Sequence, residues 1–147
     1  MKKLIFGFLL LIIVLTGCIG GKKNTVGGTK SENSWYVKNY TYADGNGNRY
    51  VFNKNSFEYV PVRASESSSG NYDGGIYIKK QPEPEKFYKI VDLIQSAYEA
   101  KADHTPDREK GTGSIKIQDK NTLLAFIIKY RSKWQTIIEA ALADLKG

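Results

Sequence analysis

The chain reads as one small α+β domain, a largely antiparallel sheet of about six strands with two helices packed on one face. Three observations predict this. Short aromatic and β-branched runs, separated by turn residues, recur between residues 35 and 80. Two later segments repeat apolar residues at three- and four-residue spacing. Between those segments, two apolar runs bracket a polar turn.

Trp35 to Tyr42 (WYVKNYTY) is aromatic and β-branched and reads as the first strand. Asp44-Gly45-Asn46-Gly47-Asn48 is a turn, because Gly and Asn tolerate positive φ. Arg49 to Phe52 forms the second strand. Ser56 to Arg63 alternates Phe57, Tyr59 and Pro61 with Glu58, Val60 and Val62. Pro61 has no N–H for a ladder, so this strand is expected at an edge or with a bulge. Ala64 to Gly70 is a loop, and Gly75 to Lys80 returns as a strand.

Pro82-Glu83-Pro84-Glu85 opens a helix, where proline is tolerated and carboxylates complement the dipole. Phe87, Ile90, Val91, Ile94, Ala97 and Tyr98 form its apolar face. It should fade near Asp103, because Pro106 disfavours helical geometry at Thr105. Ser114 to Gln118 alternates around Ile115 and Ile117, Asp119 to Asn121 turns, and Leu123 to Ile128 (LLAFII) reads as a strand covered on both faces. Ser132 with Gln135 is a capping-box pair that starts the last helix. Its buried stripe is Trp134, Ile137, Ile138, Ala141, Leu142 and Leu145. One continuous helix from Thr122 to Lys146 is the competing reading, since Leu123, Ile127, Tyr130 and Trp134 also align at that period.

The N-terminus carries a different signal. Met1-Lys2-Lys3 is basic, Leu4 to Leu15 is twelve residues without a charge, and Thr16-Gly17-Cys18 follows. That is the order of a secretory signal. Twelve residues of helix span about 18 Å, short of a hydrocarbon core of about 30 Å. Leu15-Thr16-Gly17-Cys18 resembles the lipobox of prokaryotic membrane lipoproteins. The resemblance covers the first eighteen residues. It implies removal of residues 1–17, a diacylglyceryl group on Cys18, and localisation at the cell membrane, lipid-anchored on the extracytoplasmic side. A retained N-terminal transmembrane helix is the alternative. No Asp follows Cys18, and the Cys-Ile-Gly-Gly start is similar to lipoproteins of archaea and single-membrane bacteria. Two acyl chains meet the requirement for stable anchoring. Cys18 is the sole cysteine, so a lipidated chain has no disulfide and relies on core packing.

Residues 18–34 then form the lipidated end and a flexible tether, with four glycines between Ile19 and Ser34 and an r.m.s. span of roughly 20–25 Å. Residues 35–147 form the domain. Removing Lys2 and Lys3 leaves 20 basic residues against 15 acidic ones, a net charge near +5. For a tethered, exported chain this fits anionic headgroups under the anchor better than nucleic acid, which is not expected as a partner. The plainer reading, a soluble surface that is simply basic, is preferred to either partner.

Candidate sites are few. His104, between Asp103 and Asp107, is the sole histidine. It is a weak candidate catalytic base or metal corner, set against a solvated helix end. No second His or free Cys completes a zinc site, and no Gly-x-Ser-x-Gly elbow is present. Asp44, Asn46 and Asn48 have the first spacings of a calcium loop, but Arg49 and Asn55 stand where Gly and Glu are needed. Lys110-Gly111-Thr112-Gly113-Ser114 is glycine-rich without the Walker pattern and reads as a loop. No metal and no cofactor is expected. The ten tyrosines are the larger signal. Tyr36, Tyr40, Tyr42 and Tyr59 are candidates for an exposed aromatic face that meets a protein, peptide or glycan. Packing of the sheet against the helices is the alternative use.

The expectation is therefore a lipid-anchored extracytoplasmic binding or interaction module rather than an enzyme. A cell-surface hydrolase using His104 is one alternative. A protease-inhibitor-like domain is the other: the layout of helix, Pro-Asp loop, hairpin and final helix is similar to emfourin-type inhibitors of secreted metalloproteases, a likeness of arrangement that no residue motif carries.

Overall fold

The computed structural model describes residues 34–147. The expectations for residues 1–33, Cys18 and the tether among them, lie outside the described residues. The strands are β1 (Asn39–Ala43), β2 (Arg49–Asn53), β3 (Ser56–Val60), β4 (Ile78–Lys80), β5 (His104–Thr105), β6 (Gly113–Gln118) and β7 (Leu123–Ile128). The helices are α1 (Pro84–Glu99) and α2 (Lys133–Lys146). All strand pairs are antiparallel, in the order β4-β3-β2-β1-β6-β7-β5. The sheet is open, and α1 and α2 pack against each other. Among the described residues no helix is long and apolar enough to cross a membrane.

Period-two alternation explains the core. Register sets Tyr40 opposite Phe52 and Phe52 opposite Phe57; the next row is Tyr42, Tyr50 and Tyr59. On the other side of β1, Ile117 and Ile115 face Tyr40 and Tyr42. These residues share one face of the pleat. They form one cluster with Phe87, Ile90, Val91, Ile94 and Ala97 of α1 and with Ile138, Ala141, Leu142 and Leu145 of α2. The Tyr40 and Phe52 rings stack with centroids 5.3 Å apart, and Phe52 meets Phe87 edge-on. Burial of large side chains at about 25 cal/mol per Å² is the principal stabilising term for a domain without a disulfide.

Several expectations change at their edges. The sheet has seven strands rather than six. The extra strand is β5, where His104 pairs with Ile128 and Thr105 with Ile127. Pro106 excludes helix at Thr105, and the extended chain finds β7's free edge instead of trailing into solvent. β7 is not covered on both faces: Leu123 is 63 % exposed and Ala125 is exposed, because no element lies over the second sheet face there. β1 starts later than expected, since Ser34–Val37 form a 3-10 turn. The Tyr40 hydroxyl donates to the Trp35 carbonyl and ties that turn to the core. β4 is confined to Ile78–Lys80, and β3 ends before Pro61 with β4 outside it, so β3 is not an edge.

The long helix from Thr122 does not form. Arg131 adopts φ 57° and breaks the chain direction after β7. Ser132 Oγ then accepts the Gln135 N–H at 3.3 Å, as an N-cap should. Gln135 Oε1 reaches back to the Arg131 N–H at 2.7 Å, one residue before the position of a standard capping box.

Candidate functional site at the hairpin pole

Three connections meet at one pole of the sheet: the β1–β2 turn, the loop before β6, and the β7–α2 turn. Together they enclose a recess of about 410 Å³ lined by Asp44, Gly45, Asn46, Lys110, Gly111, Tyr130, Gln135 and Glu139. That is the volume range of small-molecule sites.

The floor is a hydrogen-bond chain that begins in the core. Tyr42 is fully buried and donates to Glu139 Oε1 at 2.7 Å. Gln135, itself 5 % exposed, donates Nε2 to the same oxygen at 3.0 Å and to the Gly111 carbonyl at 2.7 Å. The α2 cap and the pocket floor are thus one network. Two donors fix Glu139 Oε1, and among the described residues no hydrogen bond engages Oε2. Burial pushes the Tyr42 hydroxyl well above the usual phenol range, and the hydrogen bond to Glu139 adds to the shift. Burial, followed by the charge of Asp44, likewise raises Tyr50.

The walls depend on glycine. A Cβ on Gly45 would lie 2.5 Å from the Gly111 Cα, so the two loops touch through bare backbone. Gly111 has φ +90°, and a Cβ there would meet the Tyr130 ring at 2.7 Å. Asp44 holds the turn: Oδ1 accepts the N–H groups of Asn46 and Asn48 at 2.9 Å each, and Oδ2 accepts Asn48 Nδ2 at 2.7 Å. Its oxygens are consumed by the turn, which is why the calcium-like spacing of Asp44, Asn46 and Asn48 makes a hairpin. Asn48, 3 % exposed, continues to the Tyr72 hydroxyl and accepts the Val62 N–H, anchoring the 61–77 loop. Arg108 donates to the Asp44 carbonyl at 3.2 Å and ties the loop before β6 to the β1–β2 turn. Lys110 is exposed at the rim and makes no ion pair or hydrogen bond among the described residues. Arg131 sits 4.9 Å from the centre of the Tyr130 ring.

The sequence candidates fall elsewhere. Tyr40, Tyr42 and Tyr59 are at most 2 % exposed, so they do not form an exposed aromatic face; their rings join the sheet to the helices. Tyr36 is partly buried against Tyr88 and donates to Asp92 at 2.8 Å. Of these four, only Tyr42 contributes to the recess, from beneath. His104 is stacked on Phe126 at 4.6 Å, and its Nε2 lies 2.9 Å from the Ala97 carbonyl. It borders a second cavity of about 480 Å³ that also touches Ser114 and Arg108, but no carboxylate or hydroxyl hydrogen-bonds to its ring among the described residues. Among the described residues no group of three or more His, Cys, Asp and Glu is placed to hold a metal ion.

The sequence presents Gln135 only as a cap and Tyr130 only as a position on the competing helix, and it gives no signal for Glu139. The two glycine-rich runs were the available signal, because a chain spends glycines where backbones must touch. No protein-family model matches this chain, and no curated protein sequence matches it either.

Proposed function

We propose that this chain is a binding module held at the extracytoplasmic side of a cell membrane by a diacylglyceryl group on Cys18, and that its ligand enters the recess above Glu139. The observation that carries the ligand site is the half-engaged Glu139 carboxylate, fixed by Tyr42 and Gln135 on the floor of a cavity. Pre-orientation of this kind lowers the ordering cost of binding. The anchor is supported by the basic, apolar and Leu15-Thr16-Gly17-Cys18 order of the N-terminus. A hydrolase built on His104 has less support, because the ring is occupied by Phe126 and the Ala97 carbonyl.

Two measurements test the reading. Mass spectrometry of the chain isolated from its native membrane should find a mature polypeptide starting at Cys18 with a diacylglyceryl adduct. A retained Met1 or a free Cys18 thiol overturns the anchor. Ligand-observed NMR of the full chain against a small-molecule extract of the same envelope should detect binders that are lost in Tyr130→Ala, which opens a half-exposed wall of the recess. Binders unaffected by Tyr130→Ala, or none at all, overturn the site.

A further inference from the structure

The recess offers two opposite charges that no ion pair of the fold neutralises. Glu139 has one engaged oxygen and one without a hydrogen bond among the described residues. Lys110, on the rim of the same cavity, has no partner among the described residues. No ion pair joins the two, so neither charge is cancelled locally. Asp44, the other lining carboxylate, is saturated by its turn and adds only negative potential. A purely anionic ligand meets that potential and the Glu139 charge. A divalent cation finds a single half-free carboxylate, too few hard ligands for a cage. The Tyr130 ring lines the same recess and offers an apolar wall to methylene groups, with Arg131 already 4.9 Å from its centre.

We infer that the recess binds a small zwitterion, with an ammonium on Glu139 Oε2 and a carboxylate on Lys110, as in a free amino acid or one end of a short peptide. The inference rests on the ligand site proposed above and specifies its chemistry. Specificity follows from pairing both charges at once: a ligand with one charge engages only one of the two groups.

The probes are glycine, γ-aminobutyrate and 5-aminovalerate as zwitterions of increasing span, with butylamine and butyrate as single-charge controls. Triglycine separates the two charges by a peptide and distinguishes a peptide end from a free amino acid. Each is titrated into the full acylated chain in detergent micelles, following the amide signals of Gly45 and Gly111. One zwitterion should saturate at least ten-fold below both controls, about 1.4 kcal/mol. Glu139→Gln keeps an oxygen for Tyr42 and Gln135 and replaces Oε2 with an uncharged NH2 group; it should weaken that zwitterion and butylamine five-fold or more and leave butyrate no weaker. Lys110→Gln should do the converse. Thermal melts of both variants establish that they fold. Butyrate or butylamine binding as tightly as every zwitterion overturns the inference while leaving the binding-module reading in place. So does saturation that neither variant alters. Silence from every probe also overturns it, and the envelope-extract screen then decides the broader reading separately.

Discussion

Tyr42, in the middle of the sheet, donates its hydroxyl proton to Glu139, two turns into α2, at 2.7 Å across 97 residues of sequence. The bond joins a fully buried tyrosine of the core to the carboxylate on the floor of the recess. Removing it should be felt at both ends. Tyr42→Phe keeps the ring and deletes the donor, leaving Gln135 as the remaining support for Glu139 Oε1. A hydrogen bond to a charged group contributes about 1.5–3 kcal/mol, and partial exposure of Glu139 places the expected loss near the lower figure. Urea unfolding should show a lower midpoint with an unchanged slope, the sign of lost stability without a change in surface exposed.

Alkaline pH tests the same row by another route. Tyr40, Tyr42 and Tyr50 are all raised above the ordinary phenol value, chiefly by burial. The unfolded chain loses these protons near pH 10, while the folded chain keeps them. The folded state therefore holds more protons above that pH, and stability falls as pH rises. Stability should be insensitive to these groups below about pH 9 and decline above pH 10, by roughly 1.4 kcal/mol per pH unit for Tyr42 alone. Ultraviolet titration should resolve a late tyrosinate class that appears together with loss of near-ultraviolet circular dichroism. Tyr42 ionising freely in the folded protein at pH 10 would contradict the buried bond.

The glycines of the recess should not be equivalent to other left-handed glycines. Gly70 has φ +69° with nothing near its missing Cβ, so Gly70→Ala pays only backbone strain, about 1–2 kcal/mol. Gly111→Ala adds a collision with the Tyr130 ring and the loss of wall geometry. It should be the more destabilising of the two by at least about 1 kcal/mol, and Tyr130→Ala should recover part of the difference. Thermal melts of the two single variants and of the double variant Gly111→Ala/Tyr130→Ala measure that coupling.

Much of this architecture was legible from residue spacing. The alternation of Tyr40, Tyr42, Ile115 and Ile117, and the stripe of Phe87, Ile90, Val91, Ile94 and Ala97, each carry their own period, and the described fold follows both. What spacing does not carry is which face of an aromatic strand meets water. Tyr40, Tyr42 and Tyr59 suit an exposed platform and a buried row equally by composition. The two helices decide the matter, and their docking is a long-range event. The recess was hidden for a related reason. Its members lie on the β1–β2 turn, the loop before β6, the β7–α2 turn and α2, and their proximity depends on the register of β1 with β6. Gly45 and Gly111 left a trace in the sequence, but a trace that most loops share. β5 was missed because two residues show no period; only the free edge of β7 gives them a partner.

His104 separates a structural role from a catalytic one. Its ring covers Phe126 and its Nε2 engages the carbonyl of Ala97 near the end of α1, so it joins that end of the helix to β5 and β7. His104→Ala removes a stacked ring and leaves the Ala97 carbonyl without this partner, a cost of about 1–2 kcal/mol. His104→Phe restores the stack without the hydrogen bond and should recover part of that loss. Neither variant replaces a residue that lines the recess. Binding at Glu139 should therefore survive both substitutions at temperatures where the variants remain folded. If His104→Ala abolished ligand binding while its thermal midpoint stayed at the wild-type value, the histidine would be acting directly on a ligand, and the second cavity beside Ser114 and Arg108 would become the site to explain.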